Sequence, residues 1–250
     1  MAASTSRPIA FITGANKGIG LAVANILASQ HGYHVIVGSR NAEAGEKVAA
    51  SLRAAGHAAS SVQLDLASEP SINAAIRAID RDFGHLDVLI NNAGIFIDPV
   101  PGIDRPTPGP YELFSSTFAT NVIGPAVLTE GLLPLLRKAE ARPARIVFVS
   151  SRLGSLYHAS SEENKFPDWK AYDASKAAVD MLTIQYARVL KPLGIKVNAV
   201  CPGLVSTDMT AKTEAGVSPE VGATSTVRMA TLGEDGPTGT FTDRDGPVEW

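Results

Sequence analysis

The sequence predicts a single α/β domain built on a doubly wound, mostly parallel sheet of about seven strands with helices on both faces. Three observations carry that reading. Apolar runs of strand length alternate along the chain with stretches of helical spacing. The first run, Ile9-Ala10-Phe11-Ile12, enters a glycine-rich turn, Thr13-Gly14-Ala15-Asn16-Lys17-Gly18-Ile19-Gly20, which opens into the helical pattern Leu21 to Leu27. The 250 residues show neither an internal repeat nor a linker, so residues 1–250 are read as one domain, with 1–7 flexible.

Local chemistry places the remaining elements. Tyr33 to Gly38 reads as a second strand, and Asn41 can cap a helix through about Ala55. Ser60 to Asp65 is a third strand; Ser68, with Pro70 just inside, opens a helix that Gly84 stops. Leu86 to Ile90 forms a fourth strand running into Asn91-Asn92-Ala93-Gly94. After a Pro- and Gly-rich loop, Asp98 to Pro110, a long helix extends from Tyr111 to Lys138, with a bend expected at Gly124-Pro125. Arg145 to Ser150 is a fifth strand, Ala171 to Leu190 a helix, and Ile195 to Cys201 a further strand. Ser218-Pro219-Glu220 starts a helix to about Leu232, before a short strand at Thr240-Phe241. In such a sheet ligands sit beyond the carboxyl ends of the strands.

Composition narrows the partners. Twenty-two basic against 25 acidic residues give a net charge of -3, which offers no basic footprint for nucleic acid. No apolar run is read as membrane-spanning and the start Met1 to Arg7 lacks a signal-peptide core, so a soluble cytoplasmic protein with no membrane partner is expected. Cys201 is the only cysteine and reads as a buried inert thiol. His31, His34, His57, His85 and His158 show no metal-site spacing; they are read as surface or loop residues, and no metal is expected.

The glycine turn carries the first chemical signal. Gly14 can take backbone angles closed to other residues, while Gly18 and Gly20 remove side chains where a pyrophosphate and a neighbouring strand come close. The free N–H groups of the new helix then face an anion site. Three glycines can equally form a plain tight turn, so the second signal matters: Tyr172-Asp173-Ala174-Ser175-Lys176. Residues four apart share a helix face, so the Tyr172 hydroxyl and Lys176 ammonium address one site. A tyrosine titrates near about 10 and a neighbouring cation favours its ionised form, which suits proton transfer in either direction. Ser150-Ser151 at a strand end and Asn121 in the long helix converge on the same edge.

The turn Thr13 to Gly20, Asp65-Leu66, Asn91 to Gly94, Asn121-Val122, Ser150-Ser151, Tyr172-x-x-x-Lys176 and Pro202-Gly203 appear in an order that resembles the short-chain dehydrogenases/reductases, near the NADP-dependent carbonyl reductase branch. The resemblance runs from about Ile9 to the C-terminus and implies a Rossmann arrangement. It implies that Tyr172 gives a proton to a carbonyl oxygen as the nicotinamide gives hydride to the carbon. Ser151 would hold that oxygen, Lys176 the nicotinamide ribose while lowering the Tyr172 pKa, and Asn121 a relay water. For the cofactor it implies Gly14, Asn16, Gly18, Ile19 and Gly20 at the pyrophosphate, Asp65 and Leu66 at the adenine, and Asn92, Ala93 and Gly94 at the adenosine ribose. Pro202, Gly203 and Val205 lead to Thr207 at the nicotinamide carboxamide. Asp65 could otherwise only cap the helix at Ser68, and Asn91-Asn92 only turn the chain.

Charge argues for NADPH. The second strand ends Gly38-Ser39-Arg40 with no acid, and Lys17 sits inside the glycine turn, so two cations can flank a 2′-phosphate. Between Ser151 and Tyr172 the gap exceeds that of many relatives and holds Leu156, Tyr157, His158, Phe166 and Trp169. It is either a wall of a pocket for a bulky carbonyl, with Leu153, Tyr157, Trp169 and Leu204 lining it, or a surface excursion. Residues 204–232 are expected as substrate loop and helix, with Leu204 to Val217 mobile. The expected partner is a small carbonyl compound. Alcohol oxidation by the same residues, a non-catalytic dinucleotide sensor, and monomer against homo-oligomer all stay open.

Overall fold

The computed structural model describes residues 7–100, 106, 108–162 and 167–250. The expectations for residues 1–6 and Phe166 lie outside the described residues. Seven strands form one sheet: β1 (Ile9–Thr13), β2 (His34–Ser39), β3 (Ala59–Gln63), β4 (Val88–Asn91), β5 (Arg145–Val149), β6 (Lys196–Val200) and β7 (Phe241–Thr242). Their order is β3-β2-β1-β4-β5-β6-β7, and every pairing is parallel.

Alternate residues of each strand feed opposite faces, which is why the strands read as continuous apolar runs. Phe11, Ile36, Leu89, Ile146 and Phe148 pack against α3 (Glu69–Phe83), α5 (Gly124–Arg137) and α7 (Lys170–Leu190) through Ile72, Ile79, Leu128, Leu132 and Val179. Ile12, Val35, Val37, Ile90 and Val147 pack against α1 (Gly18–His31), α2 (Ala42–Ala54) and α9 (Thr224–Ala230) through Val23, Leu27, Leu52 and Val227. Full burial of each such side chain contributes about 1.5–3 kcal/mol. The shorter helices are α4 (Pro110–Phe118), α6 (Leu156–Ser160) and α8 (Pro219–Gly222).

The caps fall where the sequence puts them. Asn41 accepts from the Ala44 N–H, Ser68 from that of Ser71 and Ser218 from that of Val221, while Gly84 ends α3 at φ 70°. Other expectations change. A π turn, Ala119–Ile123, joins α4 to α5 directly before Gly124-Pro125, where the bend is expected. Gly124 serves close packing, since a Cβ there would lie 2.2 Å from the Leu66 carbonyl oxygen. The continuous stretch Pro110–Arg137 is long and apolar enough to cross a membrane by length and composition, against expectation. Leu128, Leu132, Leu135 and Leu136 bury it in the core. The helix expected from Ser218 to Leu232 is two pieces, α8 and α9, divided at Ala223. His34 lies in β2 with its ring edge-on to Phe83, so it is not a loop residue, while His85 sits in the loop before β4, half-buried beside Asp87.

Candidate active site

The strand order reverses between β1 and β4, so the segments leaving their carboxyl ends diverge and open a crevice. Thr13 staples the two together: its Oγ1 accepts from the Asn92 N–H at 3.0 Å and the Ala93 N–H at 2.9 Å. The Asn92 amide in turn donates to the Thr13 carbonyl at 2.8 Å. Asn92 therefore fixes the glycine turn, while Asn91 is buried and donates to Thr129. Gly14 and Gly18 hold φ +67° and +57°, and a Cβ on Gly20 would meet Asn92 Nδ2 and the Gly14 oxygen at 2.5 Å. No side chain caps α1, whose N-cap is Lys17, so its leading N–H groups are free for an anion. This cradle fits a dinucleotide pyrophosphate. Ile19 packs on the core beneath, and Asn16 is half-buried at the rim.

The loop after β6 folds onto the turn. A methyl of Thr207 stands 3.4 Å from where a Gly18 Cβ would be, and Lys17 Nζ pairs with the Asp208 carboxylate at 2.9 Å. Arg40 is exposed at the end of β2. Asp65 accepts from the Ala67 N–H at 3.0 Å, so it shapes the approach to α3 and leaves the capping to Ser68. Leu66 and Val205 bury their side chains; the Leu66 carbonyl lies against Gly124, and the Val205 carbonyl accepts from Thr210 Oγ1 at 2.6 Å. The loop Leu204 to Val217 is tied at its ends: Ser206 N–H donates to Val217 and Val217 N–H to Leu204. Pro202 and Gly203 begin it, Gly203 at φ +76°.

Facing the cradle, β5, the π turn and α7 bring Ser151, Asn121, Tyr172 and Lys176 together. The Ser151 hydroxyl faces the Tyr172 phenol and accepts from the Leu153 N–H at 3.2 Å. Ser150 lies behind, buried, 3.4 Å from the Lys176 carbonyl oxygen. Lys176 Nζ donates to the Val149 carbonyl at 2.7 Å and stands 5.5 Å from the Tyr172 ring centre. A Cβ on Gly94 would stand in ordinary contact with Nζ at 3.8 Å and would crowd Asn121 Oδ1 at 3.3 Å. Asn121 Oδ1 accepts from the Ile95 N–H at 2.8 Å, and its Nδ2 donates to Ile95 O and Ser175 Oγ. A π turn at this residue fits the habit of such widened turns to mark functional sites.

The electrostatics depart from expectation. Burial, then Cys201 and Asp173, push the Tyr172 phenol above its ordinary value, and the Ser151 bond only partly offsets them. The expected depression by Lys176 does not appear among the influences on the phenol, because burial pushes the lysine itself down to about 8. Burial also raises Cys201, as suits an inert thiol.

Two residues outside the expected set complete the wall. Phe96 sits edge-on between Trp169 and Tyr172, at 5.0 and 5.1 Å. The buried carboxylate of Asp98 accepts from the Ala171 N–H at 3.0 Å and the Tyr172 N–H at 3.1 Å, and so caps the helix that carries the tyrosine. Asp98→Ala is expected to cost about 0.5–2 kcal/mol of stability and to lower turnover more than cofactor affinity; melting and steady-state kinetics check it. Of the expected pocket residues, Leu204 lines a cavity of about 290 Å³ with Arg152, Cys201 and Gly203. Trp169 packs on Phe96, and Leu153 is half-buried in the turn after Ser151. Tyr157 is 63% exposed, and its N–H donates to the Trp250 carbonyl.

The family model for short chain dehydrogenases matches residues 8–218. A short-chain dehydrogenase/reductase of Stachybotrys chlorohalonatus is 38% identical, over 98% of this chain and 91% of its own. The NADPH carbonyl reductase 1 of pig (Sus scrofa) is 34% identical, over 99% and 96%. The NADPH-bound carbonyl reductase structure from chicken fatty liver superposes with a TM-score of 0.82 at 26% identity, covering 98% of this chain and 100% of that one. With the seven-stranded fold and a match across most of its length, the chain belongs to the short-chain dehydrogenase/reductase family of oxidoreductases.

Proposed function

We propose that the chain is an NADPH-dependent reductase that converts the carbonyl of a ketone or aldehyde to an alcohol. The observation that carries this is the Ser151–Tyr172 hydroxyl pair, set across the crevice from the glycine cradle. Bound in that crevice, a nicotinamide dinucleotide supplies the hydride. Tyr172 gives its proton to the carbonyl oxygen, and Ser151 holds the same oxygen, so the charge that develops there meets donors placed in advance. The raised pKa keeps the Tyr172 phenol protonated at neutral pH, as a proton donor must be.

Lys176 spends one of its three donors on Val149 and keeps two for the nicotinamide ribose. The Asn121 amide is engaged by Ile95 and Ser175, so the relay water falls to its main-chain carbonyl in the widened turn. Gly14, Asn16, Gly18, Ile19 and Gly20 cradle the pyrophosphate; Asp65, Leu66 and Asn92 to Gly94 receive the adenosine, and Pro202 to Thr207 the carboxamide.

Lys17 and Arg40 flank the 2′-phosphate, with Lys17 exchanging Asp208 for it or sharing the two. Each charge-assisted contact is worth about 1.5–3 kcal/mol, so Lys17→Ala with Arg40→Ala should remove a tenfold or larger preference for NADPH over NADH. The test of the whole reading is cofactor oxidation across a panel of ketones, aldehydes, diketones and quinones, with NADH in parallel. Turnover that prefers NADPH supports it. Tight NADPH binding with no turnover on any of them argues for a sensor instead.

A further inference from the structure

Behind the reacting face, α7 carries a second ionisable side chain that the proposed chemistry leaves unused. Asp180 follows Lys176 by one helical turn, so the two leave the same face of α7. It is 4% exposed, and neither of its oxygens has a hydrogen bond of full geometry among the described residues. Only the Ser150 hydroxyl reaches towards it. A buried carboxylate so poorly matched either takes up a proton or needs a cation to answer it.

The cation on that face is Lys176, itself buried, with the Val149 carbonyl as its hydrogen-bond acceptor. Around the pair stand Tyr172 and Asp173 on α7, Cys201 after β6, and the Arg152–Asp243 ion pair beyond Cys201. We propose that Asp180 is a positioning residue that keeps Lys176 protonated, supplying a countercharge from the core side. This rests on the proposed role of Lys176. Burial drives Lys176 down to about 8 and Asp180 up to about 7, and the attraction between them opposes both shifts. Among the groups that hold the lysine up, Asp180 leads and Cys201 follows.

Asp180→Asn keeps the shape and removes the charge. The lysine then gives up its proton at lower pH, so the basic limb of NADPH-dependent turnover should move down by about one unit or more, with little change on the acid side. Asp180→Glu, which keeps the charge, should return the limb towards its wild-type position. An unmoved limb, or an equal loss at every pH as a packing defect would give, overturns the proposal. Should the asparagine variant fail to fold, Asp180→Leu removes the same charge and is read in the same way.

The pH dependence of NADPH binding, followed by nicotinamide fluorescence, separates this proposal from the reductase reading. If turnover is absent but the binding limb moves in the variant, the reductase reading fails and this one stands. If the limb stays in place, this one fails.

Discussion

Tyr172→Phe is expected to lower kcat/KM by about 10²–10⁴-fold while NADPH binds as before. The variant loses one oxygen, at the atom that gives the proton; the ring keeps its edge-on contact with Phe96, and Asp98 still caps the helix through main-chain N–H groups. Ser151 keeps its bond from the Leu153 N–H, so its place at the end of β5 should hold. Fluorescence titration with NADPH and steady-state turnover of one carbonyl read the two effects separately. Retained turnover would remove Tyr172 from the chemistry.

The second large effect is expected at Gly154, in the short turn after Ser151. A Cβ there would lie 2.5 Å from the Lys176 carbonyl carbon and 2.7 Å from the Ala177 nitrogen, both main-chain atoms that cannot swing aside. Gly154→Ala must therefore push α7 away from the end of β5. Overpacking of this kind costs about 1–3 kcal/mol, and a displacement near 1 Å of catalytic groups costs about 10²-fold in rate. The variant should melt at a lower temperature and lose kcat far more than NADPH affinity, because the cradle around Gly14 and Gly20 lies on the other wall. Wild-type kinetics in this variant would mean that the close approach of the turn to α7 does not position the site.

What the sequence discloses is local or ordered along the chain. The caps at Asn41, Ser68 and Ser218 stand three residues before the N–H groups they accept from, so their side-chain types announce them. The alternation of apolar runs announces the sheet, and the glycine turn announces its switch point. Asp98 and Phe96 are silent because their partners on α7 lie more than 70 positions away and no spacing rule links them. The Lys17–Asp208 pair spans 191 positions and is silent for the same reason. The π turn at Asn121 leaves the apolar pattern of the long helix intact, so the sequence marks only the adjoining Gly124-Pro125. The Tyr172 shift reverses because spacing reveals a neighbouring cation but not the loss of water around the phenol, and here desolvation wins.

The most direct measurement of the central claim is isotope transfer. The chain is supplied with NADPH deuterated on the transferred face of the nicotinamide and with a ketone that it turns over, and the alcohol is analysed by mass spectrometry. The account predicts one deuterium on the carbinol carbon in the wild type and labelled alcohol formed about 10²–10⁴-fold more slowly with Tyr172→Phe. An alcohol formed without deuterium from either face of the cofactor, or labelled equally well by the phenylalanine variant, would contradict it.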